Sequence, residues 1–371
     1  MVAPRMDLQN KRFLIVKPSS LGDIVHALPL AHALKRCYPE SWIGWIVQEA
    51  YAPLVEGDPA VDTVYLINIP STSDPQAGRL AYFRALPALT QTLCRLRRWL
   101  QREPYDLVLD LHASFRSGLL GLTNPGGTRV GFADAKELNP LFQHRRIEVP
   151  DSVVHAVDKN MLFCNHLCCP PGKSDFQLYS SEQDRDRVAA FLQGHRLRDD
   201  DVLVYVNPAA RWRTKFWGGG RWAELADRLI GEAGLRVVFA GSAQDRDYIA
   251  GVSERMSRTP IVAAGELSLT ETVALLQRSA VYAGLDSGPM HMAAMAGVPV
   301  VALFGPTNPE RVGPYGVEHR LVRNEGLVCL GCRKRHCGVP RCMEGIEVDQ
   351  VYRAVLSLVD LRRSAAGGGK G

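Results

Sequence analysis

Four stretches of this chain bring together residue types that handle protons and anions. "KPSSLGD", Lys17 to Asp23, sets a glycine and a carboxylate directly after the apolar run Phe13 to Val16. "NPAARWRTKFWGGGRW", Asn207 to Trp222, packs Arg211, Arg213 and Lys215 ahead of Gly218-Gly219-Gly220, a combination that suits a diphosphate. "VVFAGSAQDRD", Val237 to Asp247, carries Asp245, whose carboxylate can accept hydrogen bonds from a ribose. In "GLDSGPMHMAAMAGVPVVALFGPT", Gly284 to Thr307, Asp286 ends a strand, Ser287 caps and Pro289 opens a helix. The N–H groups of Ser287 and Gly288 then point where an anion sits, and His291 follows in the first turn.

Each stretch also has a plain structural reading. An aspartate at a helix start satisfies orphan N–H groups for about 1 kcal/mol. A basic loop can be a solvated loop. Asp245 can serve the N-terminus of the next helix, and a single histidine is more often packed than catalytic.

The elements that must hold these stretches are short apolar runs alternating with helical patterns, the mark of parallel sheets covered on both faces. Strands are expected at Phe13–Val16, Trp42–Val47, Val64–Ile67, Leu107–Asp110, Val202–Val206, Arg236–Ala240, Ala280–Ala283 and Val298–Phe304. Helices are expected at Asp23–Cys37, Arg221–Glu232, Ser268–Gln277 and Pro289–Ala296, with Pro29 kinking or restarting the first. Ser268 and Glu271 form a capping box. "CCPPGKSDFQLYSSEQDRD", Cys168 to Asp186, interrupts the pattern, so the α/β chain divides near Leu178 into residues 1–178 and 179–361. Residues 362–371, ending in "SAAGGGKG", read as a flexible tail. In open parallel sheets ligands bind at the carboxyl ends of strands, where all four stretches fall.

Length and composition agree with this. The 371 residues suit about two domains. A net charge of +5 suits an anionic substrate or membrane surface and does not argue for nucleic acid. No secretory signal or membrane span is expected, because the first apolar run is too short and the longest, Met292 to Phe304, contains Gly297 and Pro299. Cys37, Cys94, Cys164, Cys168 and Cys169 show no metal spacing and read as reduced cytoplasmic thiols. No strand is followed by G-x-G-x-x-G, which argues against a nucleotide-dependent dehydrogenase. Asp199-Asp200-Asp201 is a formal D-x-D, but it precedes a strand, the wrong end for a ligand, and reads as a solvated loop.

Taken in order, the four stretches resemble the heptosyltransferases of glycosyltransferase family 9, over about Phe13 to Tyr315. The resemblance implies a GT-B fold, two Rossmann-like domains with parallel sheets facing across a cleft, the first for the acceptor and the second for the ADP-sugar. It implies inverting transfer of L-glycero-D-manno-heptose from ADP-heptose to the Kdo or inner-core region of lipopolysaccharide, with no cofactor required. "SSLGDIVH" is similar to the enzymes that add the first heptose. On this pattern Asp23 is the general base and Lys215 contacts the phosphates. Arg211, Asp286, Ser287, Gly288, His291 and Thr307 serve the donor, Asp245 holds the ribose and Leu267 packs on the adenine. Ser20, Gly22, Arg116 of "DLHASFRS", Lys136 and His155 fall to the acceptor, a lipid A–Kdo type molecule. The two sites must meet, so domain closure is expected. A family-9 transferase with another acceptor and a non-catalytic nucleotide-sugar binding protein are the alternatives.

"CLGCRKRHCGVPRC" spaces Cys329, Cys332, Cys337 and Cys342 as C-x2-C-x4-C-x4-C. Such a set can hold a structural zinc or other metal, remote from catalysis; reduced thiols or a disulfide pair are the other readings. "RLRRWLQR", Arg95 to Arg102, is a basic helix that can dock on the cytoplasmic leaflet of the inner membrane or simply face water. With no secretory signal expected, the protein is expected in the cytoplasm, peripherally associated with the inner membrane.

Overall fold

A computed structural model describes residues 8–70, 81–198 and 200–367. The chain divides into two compact units between Phe176 and Gln177. The first contains β1 (Arg12–Val16), β2 (Trp42–Gln48), β3 (Thr63–Ile67), β4 (Leu107–Asp110), β5 (Thr128–Phe132) and β6 (Arg145–Ile147). The second contains β7 (Leu203–Asn207), β8 (Arg236–Phe239), β9 (Ile261–Val262), β10 (Val281–Leu285), β11 (Val300–Leu303) and β12 (His319–Val322).

Each unit is built on one parallel sheet, ordered β3-β2-β1-β4-β5-β6 and β12-β11-β10-β7-β8-β9. Counted within its unit, each sheet has the doubly wound order 3-2-1-4-5-6, which reverses direction at its centre. The reversals lie between β1 and β4 and between β7 and β10. The inner strands are continuous apolar runs because both faces are covered: Phe13 to Val16 and Val281 to Leu285 are buried throughout. Outer strands such as β6, of which only Ile147 is buried, and β12, of which only Val322 is, lack that signature and were not expected.

Pro29 acts by restarting the helix. A first helix spans Leu21–Val25 and a second Leu28–Cys37, with the proline in its first turn where its missing N–H costs nothing. The tail expectation is corrected in part: helix Val348–Gly367 runs on beyond Leu361, and residues 368–371 lie outside the described residues. Asp199 also lies outside them; Asp200 and Asp201 both meet Arg198, and Asp201 also meets Arg236.

The thiol expectation fails at one pair. Cys37 and Cys169 form a disulfide across 132 residues. Helix Leu28–Cys37 packs on helix Ala156–His166, and this brings the two Cα atoms to 5.9 Å. Arg36 fastens the same region, donating to both Asp175 carboxylate oxygens at 2.9 Å and to the Pro170 carbonyl at 2.7 Å. A closed loop of that length typically contributes about 2–4 kcal/mol. Reductant is therefore expected to lower the Tm of the wild type while leaving Cys37→Ser, already lowered, unchanged.

Candidate active site

At the first reversal, β1 ends in Val16 just before Lys17, and β4 ends in Asp110. The Lys17 ammonium is buried, donates to the Leu111 carbonyl at 2.8 Å and stands 3.8 Å from Asp23 Oδ1. Trp45 Nε1 holds the Lys17 carbonyl at 3.1 Å. Asp23 is the third residue of helix Leu21–Val25, and Ser20 is its N-cap. Asp23 Oδ2 accepts from Ser20 N at 3.0 Å and from Ser20 Oγ at 2.6 Å, a capping box. One oxygen of Asp23 thus serves the helix start and the other faces a cation. Gly22 is an ordinary buried residue of that helix, with no left-handed φ.

The electrostatics follow from this geometry. Partial desolvation pushes the half-exposed Asp23 carboxyl up, but Lys17 and both Ser20 hydrogen bonds outweigh it and hold the group well below the ordinary carboxylate range. Burial pulls Lys17 down, against Asp23 and Asp110.

The loop after β4 faces the same place. Asp110 accepts from His112 N at 3.1 Å, Ala113 N at 3.0 Å, Ser117 Oγ at 2.9 Å and Asn139 Nδ2 at 2.7 Å. These bonds fix the turn that carries His112 and leads into helix Phe115–Gly121, which carries Arg116. Burial, and then Lys17, bring the His112 imidazole down to about 4, so it is neutral near pH 7. Lys17, Asp110 and His112 were missed in sequence; Lys17 was visible only as the first letter of a quoted motif, and nothing local marks its burial. Of the other residues assigned to the acceptor, Lys136 is exposed in the loop after β5. His155 caps helix Ala156–His166 by accepting from Val157 N at 3.1 Å, and its ring lies 5.7 Å from His26.

At the second reversal, β7 ends in Asn207 and β10 in Leu285 just before Asp286. Lys215 Nζ donates to Asp286 Oδ2 at 2.7 Å and to the Asp286 carbonyl at 2.8 Å. His291 Nε2 lies 3.7 Å from Asp286 Oδ1. Ser287 is the N-cap of helix Gly288–Met295, with no side-chain cap bond; its Oγ donates to Asn207 Oδ1 at 3.3 Å. Thr307 Oγ1 is buried without a hydrogen-bond partner among the described residues, a group a ligand can satisfy. Asp245 Oδ2 accepts from Ser242 N and Oγ, repeating the Ser20–Asp23 box after β8. Leu267 is half-buried beside Ser268, and Arg211 is exposed.

The basic loop is anchored by its aromatics. Trp217 and Trp222 are buried edge to face, and Trp217 Nε1 donates to the Ile346 carbonyl at 2.8 Å. Of its glycines only Gly218 has a left-handed φ, +106°, while Gly219 and Gly220 begin helix Gly219–Gly231.

The cysteine segment was expected to be remote from catalysis, with a metal, reduced thiols or a disulfide pair as its open readings. Among the described residues no group of three or more His, Cys, Asp or Glu is arranged to hold a metal ion. Cys329, Cys332 and Cys337 are exposed, whereas Cys342 is buried, and burial followed by the neighbouring cysteines pushes its thiol up. Nor is the segment remote. Gly331 N donates to the Gly305 carbonyl at 3.0 Å, Arg333 N to the Pro306 carbonyl at 2.7 Å, and Thr214 Oγ1 to the Lys334 carbonyl at 3.0 Å. It folds back onto the loops that carry Lys215 and Thr307.

The chain is similar to known proteins in sequence and fold. The profile of "Glycosyltransferase family 9 (heptosyltransferase)" matches residues 93–342. Lipopolysaccharide heptosyltransferase 1 of Pseudomonas aeruginosa is 31% identical over 338 residues, covering 88% of this chain and 87% of that one. A crystal structure of a family 9 glycosyl transferase from Veillonella parvula superposes with a TM-score of 0.79 at 25% identity, over 96% of this chain and 99% of that one. The Escherichia coli heptosyltransferase WaaC with ADP superposes with a TM-score of 0.70 at 22% identity, over 94% and 99%, a likeness of fold.

Proposed function

Because the chain belongs to glycosyltransferase family 9 and has its GT-B fold, we propose that it transfers L-glycero-D-manno-heptose from ADP-heptose to the Kdo region of lipopolysaccharide, as the first heptose, with inversion. One observation carries the reading: each of two like sheets presents a charged site at its reversal point, a carboxylate at Asp23 and a cation at Lys215. That division suits displacement of ADP by a hydroxyl.

The donor belongs to residues 179–361. ADP leaves with charge on its diphosphate, and Lys215 with the N–H groups of Ser287 and Gly288 stabilises that charge. Asp286 keeps Lys215 in place before the donor arrives. Thr307, His291 and Arg211 contact the donor, Asp245 the ribose and Leu267 the adenine.

The acceptor belongs to residues 1–178, with Ser20, Gly22, Arg116, Lys136 and His155 around it. Asp23 takes the hydroxyl proton. A carboxylate held so firmly ionised is a weak base, and this suits a late proton transfer: the hydroxyl becomes acidic only as its oxygen bonds to the anomeric carbon. Neither step uses a metal.

Among the described residues no helix is long and apolar enough to cross a membrane. Docking falls to helix Ala81–Arg102, which buries Leu96 and Leu100 and exposes Arg95, Arg97, Arg98, Trp99 and Arg102. The protein then works on the cytoplasmic leaflet of the inner membrane, where Cys37–Cys169 is open to reduction.

The test is ADP release from ADP-heptose with two acceptors. Lipid A bearing Kdo alone is expected to be glycosylated, and lipid A already bearing heptose is not. Transfer to the second only would reassign the step. Donor binding with no transfer to either would favour a nucleotide-sugar binding protein.

A further inference from the structure

Outside the residues assigned above, the cysteine segment carries Arg333, Lys334, Arg335 and His336 in succession. A cavity of about 480 Å³ opens where this segment meets the basic loop, lined by Arg213 and Thr214 on one side and by Arg335, His336, Cys337, Gly338 and Pro340 on the other. No acidic residue lines it. A cavity of about 500 Å³ elsewhere in the same unit mixes Glu224, Asp227 and Glu232 with Arg228, Arg255 and Arg258, and so balances its own charge.

The cationic wall is held in place. The Thr214 and Arg333 bonds fix the backbone at Arg333 and Lys334, immediately before Arg335. Arg335 stands over the Trp212 ring at 5.2 Å, and Lys215 over the same ring at 4.9 Å. Two cations on one aromatic ring repel each other, and an anion beside them relieves the repulsion. A guanidinium already stacked on Trp212 loses little freedom when an anion arrives.

We propose that the cavity between the basic loop and the cysteine segment is a second anion site, in which Arg335 and His336 take a phosphate group. The phosphate comes either from the diphosphate of a nucleotide bound at Lys215 or from a separate phosphate-bearing ligand. The nucleotide source rests on the donor reading above; the site itself does not, since phosphate binding requires no heptosyl transfer.

The experiment is calorimetric titration of the full chain with inorganic phosphate at low ionic strength. Saturable binding is expected, weakened at least about 10-fold in Arg335→Ala/His336→Ala and partly recovered in Arg335→Lys, because a hydrogen bond to a charged group is worth that much. Both side chains are exposed, so the melting temperature without phosphate is expected to stay unchanged. Absence of saturable binding in the wild type, or equal affinity in the double variant, overturns the proposal. Repeating the titration with saturating ADP assigns the source. Competition identifies the nucleotide's own diphosphate, and unchanged affinity identifies a separate phosphate-bearing ligand.

Discussion

Asp23→Asn is expected to lower turnover by about 10²–10⁴, the usual size of general-base catalysis. The asparagine oxygen can still accept from Ser20 N, as Asp23 does at 3.0 Å, so the start of helix Leu21–Val25 survives. Stability should nonetheless fall slightly, because Lys17 loses its carboxylate partner. Asp23 is half-exposed, so that loss amounts to no more than about 1 kcal/mol. Lys17→Met combined with Asp23→Asn should recover the stability and none of the turnover. A purely capping role predicts a different pattern: Asp23→Asn nearly fully active, with only Asp23→Ala losing stability. Rate and Tm measured on all three variants separate the two. An asparagine variant within a few-fold of wild type, under conditions where chemistry limits the rate, would exclude the base assignment.

The sign of the pH dependence follows from the same contacts. The folded carboxyl of Asp23 is depressed below its ordinary value of 3.8. Its contribution to stability is present above that unfolded value and is lost only as pH falls through the lower folded one. Lowering the pH from 8 to 5 should therefore produce no loss of turnover through Asp23.

Lys215→Ala is expected to cost roughly 10²–10³ in turnover, the scale of losing one preorganised donor, and to weaken ADP binding less. Charge builds on the diphosphate as the bond to the sugar breaks, so the ammonium counts for more in the transition state than in the ground state. The substitution also leaves the buried Asp286 without its ammonium partner, which costs up to about 3 kcal/mol. Lys215→Met with Asp286→Asn removes both charges and should restore the melting temperature without restoring turnover. Near-normal turnover in Lys215→Ala would move the role to Arg211 or Arg213 on the same loop.

Much of this arrangement was legible in sequence because its signals are local. The inner strands announced themselves as unbroken apolar runs, and Pro29 marked the restart between two helices. The strands that escaped notice, β5, β6, β9 and β12, are short or polar: β5 opens with Thr128-Arg129, β9 has two residues, and β6 and β12 bury only Ile147 and Val322. Ser-x-x-Asp at Ser20–Asp23 and at Ser242–Asp245 was not singled out, since Asp23 was weighed as the cap itself, and spacing alone does not say that a carboxylate with one oxygen in a capping box turns the other toward a buried ammonium.

By itself, then, the sequence determined the alternation of strands and helices, the four loops at strand ends and the residue types those loops display. These follow from periodicity, turn chemistry and chain direction, which act over a few residues. Tertiary structure alone decided which charges meet. Lys17 is desolvated and tied to Leu111, 94 residues away, only because β1 and β4 pair. Cys37 finds Cys169 only because two distant helices pack, and the cysteine segment reaches Thr214 only by folding back across the second sheet's loops. Burial and Coulomb energy depend on neighbours in space, and no short window of sequence contains them.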